Sequence, residues 1–138
     1  MRRWYYGLIP LVLLATGLVL VGWSGSPDRP GDHHTITIHF SRFEPAEVTV
    51  RAGQPVTFKL RNEDPIEHEW LVGDELVHWA HRLGTEPYHD EIPTEVTIPA
   101  FETKTTVVSF DKPGEYAFIC HLPGHEAYGM RGVVTVVE

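Results

Sequence analysis

The chain has 138 residues, a formal net charge of −8, a pI near 5.5 and a single cysteine, Cys120. This length suits one domain, and the acidic balance argues against a nucleic-acid-binding protein, which needs a basic surface. A lone cysteine excludes an intrachain disulfide, a four-cysteine zinc site and a cysteine-ligated iron–sulfur cluster. The nine histidines are the first indication of metal chemistry, because imidazole is the commonest protein ligand for metals.

The N-terminus contains an uncharged stretch from Gly7 to Trp23 that is rich in Leu, Val and Ile and follows Arg2 and Arg3. We predict that residues 1–23 form a membrane anchor or a signal peptide, with the arginine pair on the cytoplasmic side. A helix of this stretch would span about 25 Å, slightly less than the ~30 Å hydrocarbon core. No clean Ala-x-Ala cleavage site is present, which favours a single-pass cell-membrane anchor over a secreted or periplasmic product of cleavage.

Residues 24–32 are rich in Gly, Pro and Ser and predict a flexible linker, so the folded domain is expected to comprise residues 33–138. Apart from Arg2 and Arg3, nine basic residues stand against 19 acidic ones, a formal charge of −10. The part of the chain outside the cytoplasm is therefore expected to be distinctly acidic.

Alternation of apolar and polar residues predicts a series of short strands separated by Pro and Gly turns. In the first strand, Ile36, Ile38 and Phe40 are expected on one buried face. Further strands are predicted around Val48–Val50, Val56–Leu60, His68–Val72, Thr94–Ile98, Thr103–Phe110, Glu115–Ile119 and Arg131–Val137. This pattern is typical of an all-β sandwich or Greek-key barrel.

One segment, from Asp74 to Leu83, has helical periodicity instead, with Leu76, Ala80 and Leu83 at positions i, i+4 and i+7. Asp74 is suited to cap its N-terminus and Gly84 to end it, so we predict a short surface helix.

The predicted helix carries His78 and His81, and His89 follows it. A second metal site with help from Glu75 or Glu86 is one interpretation of these histidines. A solvated helix face is the favoured alternative, because histidines at this spacing usually face water. Trp70 and Trp79 are expected to pack in the core or within this segment.

The most informative motif is Cys-x4-His-x4-Met, formed by Cys120, His125 and Met130 after an apolar strand. Taken singly, a buried cysteine, a histidine beside Pro-Gly and a lone methionine are each more often structural than functional. Together, a thiolate, an imidazole and a thioether on one tight loop select copper. Two imidazoles and a thiolate with a long axial methionine bond make a blue copper site. His68, at the start of a predicted strand, is the candidate for the second imidazole.

These residues, together with the segment FEPAEVTVRAG from Phe43 to Gly53 and with Asn62, resemble the cupredoxins, the plastocyanin and azurin family of type 1 copper proteins. The loop spacing is similar to that of auracyanin, sulfocyanin and rusticyanin, and the resemblance covers about residues 35–137. It implies a Greek-key β-sandwich and one copper that cycles between Cu(I) and Cu(II), held by His68, Cys120 and His125 with Met130 as axial ligand. It also implies that the Glu69 N–H donates to the cysteine sulfur.

The segment from Asp74 to Ile92 departs from the resemblance, because the shorter members of the family lack it, and its role is not defined by the sequence.

Four protein ligands would leave no open position for a substrate, so we expect an electron carrier and not an enzyme. The leading interpretation is single-electron transfer outside the cytoplasmic membrane, by a monomer whose redox partner proteins have a basic docking surface. The alternative is an exported copper-binding protein for copper storage, delivery or resistance.

Overall fold

The computed structural model describes residues 32–85 and 92–138, and these form two β-sheets and one helix. The first sheet has the strand order β2-β1-β4-β7 and the second has the order β3-β9-β8-β5-β6. The strands are β1 (Asp32–Ile38), β2 (Phe43–Glu44), β3 (Glu47–Arg51), β4 (Pro55–Asn62), β5 (His68–Gly73), β6 (Glu95–Ile98), β7 (Thr103–Ser109), β8 (Gly114–Ile119) and β9 (Arg131–Val137); helix α1 (Glu75–Leu83) follows β5.

The two sheets enclose the hydrophobic core, and this confirms the all-β sandwich predicted from the sequence. Strand β1 pairs in parallel with β4, and β3 pairs in parallel with β9, while the other neighbouring strands are antiparallel. Inward side chains alternate with outward ones, as in β4, where Val56, Phe58 and Leu60 are fully buried.

No helix among the described residues has the length and apolar character needed to cross a bilayer. The predicted anchor in residues 1–23 and most of the linker in residues 24–32 lie outside the described residues.

The prediction for the first strand is wrong at its end. Ile36 and Ile38 are fully buried as expected, but the strand stops at Ile38, and Phe40 is 79% exposed with φ of 50°. The chain turns here because the N–H groups of Phe40 and Ser41 donate to the carboxylate of Asp64, at 2.8 and 2.7 Å. A contact with a distant loop therefore overrides the alternation of the strand.

Helix α1 has the predicted bounds and caps. The Asp74 side chain accepts from the N–H groups of Leu76 and Val77, and Gly84 ends the helix in the left-handed conformation, with φ of 61°.

The helix packs against the sheet through the face that carries His78, and not through its apolar stripe. Leu76, Trp79 and Leu83 are largely exposed, whereas His78 is fully buried. His78 can be buried because both its ring nitrogens have partners, His121 Nε2 at 2.9 Å and the Ala117 carbonyl at 3.1 Å. The expectation of a solvated histidine is therefore wrong for His78.

A close approach at Gly132 in β9 gives the first testable prediction. A Cβ at this position would overlap the ring of Phe118 and the backbone carbonyl oxygen of Ala46. Because backbone cannot move aside as a side-chain tip can, we expect Gly132→Ala to lower the free energy of unfolding by about 1–3 kcal/mol. Denaturant unfolding measures this change, with Thr49→Ala on the exposed face of β3 as control. Equal stability of the two variants would contradict the close packing of Gly132 against Phe118 and Ala46.

Candidate metal centre

The first histidine of the predicted ligand set, His68, begins strand β5 and is fully buried. It shares the core-facing side of β5 with Trp70 and Val72, which both belong to the hydrophobic core. The loop before it is fixed by Asn62, whose side-chain NH₂ donates to the carbonyl oxygens of Ile66 and Ile98 at 2.7 and 3.1 Å. Strand β5 and the hydrogen-bonded loop before it therefore fix the position of His68.

The other three predicted ligands lie on the connection between β8 and β9. Cys120 directly follows β8, Met130 directly precedes β9, and both residues are fully buried. The Cys120 N–H donates to the Met130 carbonyl at 3.2 Å, and the Met130 N–H donates to the His125 carbonyl at 3.0 Å. These bonds close the loop, so residues ten positions apart in the chain are neighbours at its base.

Three donor atoms converge at this end of the sandwich. His125 Nδ1 lies 3.2 Å from Cys120 Sγ and 3.3 Å from His68 Nδ1. All three atoms lie within 4.8 Å of one another, in one of two such groups among the described residues. A thiol and two imidazoles meeting in a buried place, with a buried methionine on the same loop, form a donor set that fits copper.

Asp64 positions His68 and was not identified from the sequence. Its Oδ2 lies 2.9 Å from His68 Nε2, and the same carboxylate accepts the N–H groups of Phe40 and Ser41. This contact occupies Nε2 and leaves Nδ1 directed at the other donors. The spacing of four residues between Asp64 and His68 was visible in the sequence, but their contact depends on the bend of the loop between them.

Burial and hydrogen bonding have opposite effects on the pKa values of both Asp64 and His68. Burial raises the pKa of Asp64, but the N–H donors of Ser41 and Phe40, together with His68, outweigh it, and the pKa of Asp64 is lowered. Burial also lowers the pKa of His68, despite the opposing effect of Asp64. A carboxylate beside a neutral imidazole is the pairing that prepares a histidine to bind a metal.

The Cys120 thiol receives a hydrogen bond from the Glu69 N–H at 3.4 Å, the contact that the family resemblance implies. Burial raises the pKa of Cys120, and the N–H groups of Glu69 and Leu122 oppose this effect. The buried thiol would therefore lose its proton when Cys120 binds a metal ion, and the positive charge of the ion would stabilise the thiolate.

The remaining histidines of interest lie on the outer face of the second sheet. His121 turns away from Cys120 and contacts His78 and Glu126, whose carboxylate lies 3.2 Å from His121 Nδ1. Burial lowers the pKa of His121 to about 4. Glu75 is exposed and pairs with Arg82, so it does not join the histidines, and His89 and Glu86 lie outside the described residues.

Comparisons with known proteins agree with this geometry. The family model described as Cupredoxin-like domain matches residues 12–136. The chain belongs to the cupredoxin family. Copper is accordingly its cofactor, as the donor set indicates.

Individual relatives of this cupredoxin include two kinds of copper protein. It is 36% identical over 119 residues to the copper-resistant cuproprotein CopI of Rubrivivax gelatinosus, covering 78% of this chain and 72% of the relative. It is 31% identical over 108 residues to auracyanin-A of Chloroflexus aurantiacus, covering 68% and 66%. The solved structure of auracyanin A, a blue copper protein of that bacterium, superposes with a TM-score of 0.59 at 25% identity, covering 76% and 98%.

Proposed function

We propose that this cupredoxin transfers single electrons outside the cytoplasmic membrane through a type 1 copper. The observation that supports the proposal is the convergence of His68, Cys120 and His125 within 4.8 Å, at the end of the core. These three residues would hold the copper, and Met130 would supply a weak axial thioether. Copper bound by this donor set supplies one-electron redox chemistry.

The residues around the donors favour a carrier over an enzyme. Asp64 fixes the ring of His68, and the Glu69 N–H fixes the sulfur of Cys120. Because these hydrogen bonds hold the two ligands in place, the ligands would move little when the metal gains or loses one electron. With four protein donors, the proposed centre has no position for a substrate, which catalytic metal sites require.

His125 is the proposed exit for electrons, because it is only partly buried whereas the other proposed ligands are fully buried. Exposed small or apolar residues lie beside it on the loop, namely Pro123, Gly124, Ala127 and Tyr128. Three other loops present apolar side chains, with Phe40, Ile66 and Phe101 all largely exposed. Phe40 and Phe101 donate backbone N–H groups to Asp64, so they lie at the same end of the molecule as His68.

The formal charge of −10 outside the arginine pair supports a partner protein with a basic docking surface. Stopped-flow kinetics of the reduced chain test this. The rate with a cationic redox protein is expected to fall with added salt, because the Debye length shortens to about 8 Å at physiological ionic strength. A neutral oxidant serves as the control and is expected to be indifferent to salt. Identical salt dependence for both reagents would contradict electrostatic steering.

The exit through His125 has its own test. We expect Ala127→Glu to slow oxidation by both reagents while leaving the copper absorption intact, because a bulky charge beside His125 blocks close approach. Thr49→Glu, on the exposed face of β3, is the matched control for the added charge. If both variants react at the wild-type rate, electrons leave by another route.

The axial position gives a further prediction. We expect Met130→Gln to retain copper and to lower its reduction potential, because an oxygen donor stabilises Cu(II) relative to Cu(I). Electrochemical titration measures the shift. Loss of copper or an unchanged potential would remove Met130 from the proposed ligand set.

A second candidate function is copper resistance, favoured by the 36% identity to the copper-resistant cuproprotein CopI. It needs the same copper centre but no redox partner. Expression of the full chain in a copper-sensitive bacterium separates the two proposals. Growth in high copper that depends on Cys120, together with slow electron exchange in stopped flow, would favour resistance over electron transfer.

A further inference from the structure

A second group of metal-binding side chains lies between helix α1 and the outer face of the second sheet. It consists of Glu69 from β5, His81 from α1 and Glu95 from β6, and one donor atom from each lies within 4.8 Å of the other two. Glu69 pairs with Thr97, and Leu71 pairs with Glu95, so the two glutamates are diagonal neighbours on one face of the sheet.

This group is buried. Glu69 and Glu95 are 7% and 2% exposed, and the His81 side chain is 11% exposed. Burying carboxylates is costly unless their charge is balanced, and a divalent cation would neutralise these two.

The orientation of helix α1 supports a polar site at this interface. The helix leaves Leu76, Trp79 and Leu83 largely exposed and directs His78 and His81 towards the sheet. Hydrophobic packing alone would favour the opposite orientation. The Glu69 carboxylate is also held in place, because its Oε2 accepts the His121 N–H at 3.1 Å and lies 3.5 Å from His81 Nε2.

We propose that Glu69, His81 and Glu95 form a second metal site, which binds a divalent cation such as Zn²⁺ or Cu²⁺. One imidazole and two carboxylates suit these ions, and the absence of sulfur from this group disfavours Cu⁺. The site is distinct from the copper centre, since its donors point to the opposite face of the sheet.

Glu69 joins the two sites. Its carboxylate belongs to the second site, whereas its backbone N–H donates to Cys120 Sγ at 3.4 Å. A divalent cation on Glu69 would oppose positive charge at the copper and favour Cu(I) over Cu(II).

Metal analysis tests the site. The purified full-length chain is loaded anaerobically with one Cu⁺ and dialysed against micromolar Zn²⁺, and both metals are then counted. We expect His81→Ala and Glu95→Gln each to lose one zinc equivalent relative to wild type and to keep the copper. The matched controls are Glu75→Gln, an exposed carboxylate on α1, and His33→Ala, an exposed histidine on β1, and both are expected to keep that zinc.

Zinc counts that are the same in His81→Ala, Glu95→Gln and wild type would overturn the proposal. Thermal unfolding shows whether each variant is folded. If Glu95→Gln is not folded, His81→Ala and the more conservative His81→Asn decide the question, because His81 lies at the edge of the cluster.

The coupling has a separate measurement. Zn²⁺ is expected to raise the copper reduction potential in wild type and in Glu75→Gln, and to have no effect in His81→Ala. Zinc binding without a change of potential in wild type would overturn the coupling, and an equal rise in His81→Ala would assign the effect to zinc bound elsewhere.

Discussion

Replacement of Cys120 by serine is expected to abolish the intense visible absorption of the Cu(II) protein. That absorption arises from charge transfer between a thiolate and copper, and Cys120 is the only cysteine in the chain. A serine hydroxyl is a harder donor and does not ionise at neutral pH, so it cannot replace the sulfur. The visible spectrum of the copper-loaded chain, together with copper analysis, measures the effect.

The control for this variant is His33→Ala, which removes an exposed metal-binding side chain from β1. It is expected to keep the full absorption. A Cys120→Ser variant that remains intensely coloured would show that the copper centre lies elsewhere. The same outcome would remove the basis for electron transfer through His125.

Replacement of Asp64 by asparagine is expected to weaken copper binding by about 10–100-fold, the usual effect of removing a group that orients a metal ligand. Oδ2 of Asp64 lies 2.9 Å from His68 Nε2 and accepts the Ser41 N–H, while Oδ1 accepts the Phe40 N–H. An amide has one acceptor oxygen, so at least one of these donors would face an NH₂ group. Competition with a copper chelator measures the affinity.

Glu63→Gln is the matched control, because Glu63 is the adjacent residue and its side chain, 39% exposed, pairs with Arg61. It is expected to bind copper as tightly as wild type. If Asp64→Asn did the same, Asp64 would be a structural residue of the loop and would have no effect on the orientation of His68.

Features that depend on residues close together in the sequence were predictable from the sequence. The strands and their inward faces follow from alternation, and the caps of α1 follow from Asp74 and Gly84. Most of the proposed copper centre belongs to this class, because Cys120, His125 and Met130 lie on one loop whose own hydrogen bonds bring them together. For the same reason, the family could be recognised from spacing.

Features that join distant segments were decided only by the tertiary structure. Phe40 continues the apolar alternation of β1, yet it is exposed because its N–H donates a hydrogen bond to the carboxylate of Asp64, 24 residues away. The apolar stripe of α1 is not the face that the helix buries. Its orientation depends on polar groups of the sheet, the Ala117 carbonyl and the His121 ring, which lie about forty residues further along the chain.

The group of Glu69, His81 and Glu95 is the clearest case. The sequence suggested Glu75 or Glu86 as carboxylate partners of the histidines on α1, and it did not indicate Glu69 or Glu95. Antiparallel pairing of β5 with β6 places the two glutamates diagonally across from each other, and the packing of α1 adds the histidine. Local preference fixes which strand or helix a residue belongs to, whereas the pairing of strands and the rotation of a helix on a sheet depend on the free energy of the whole fold.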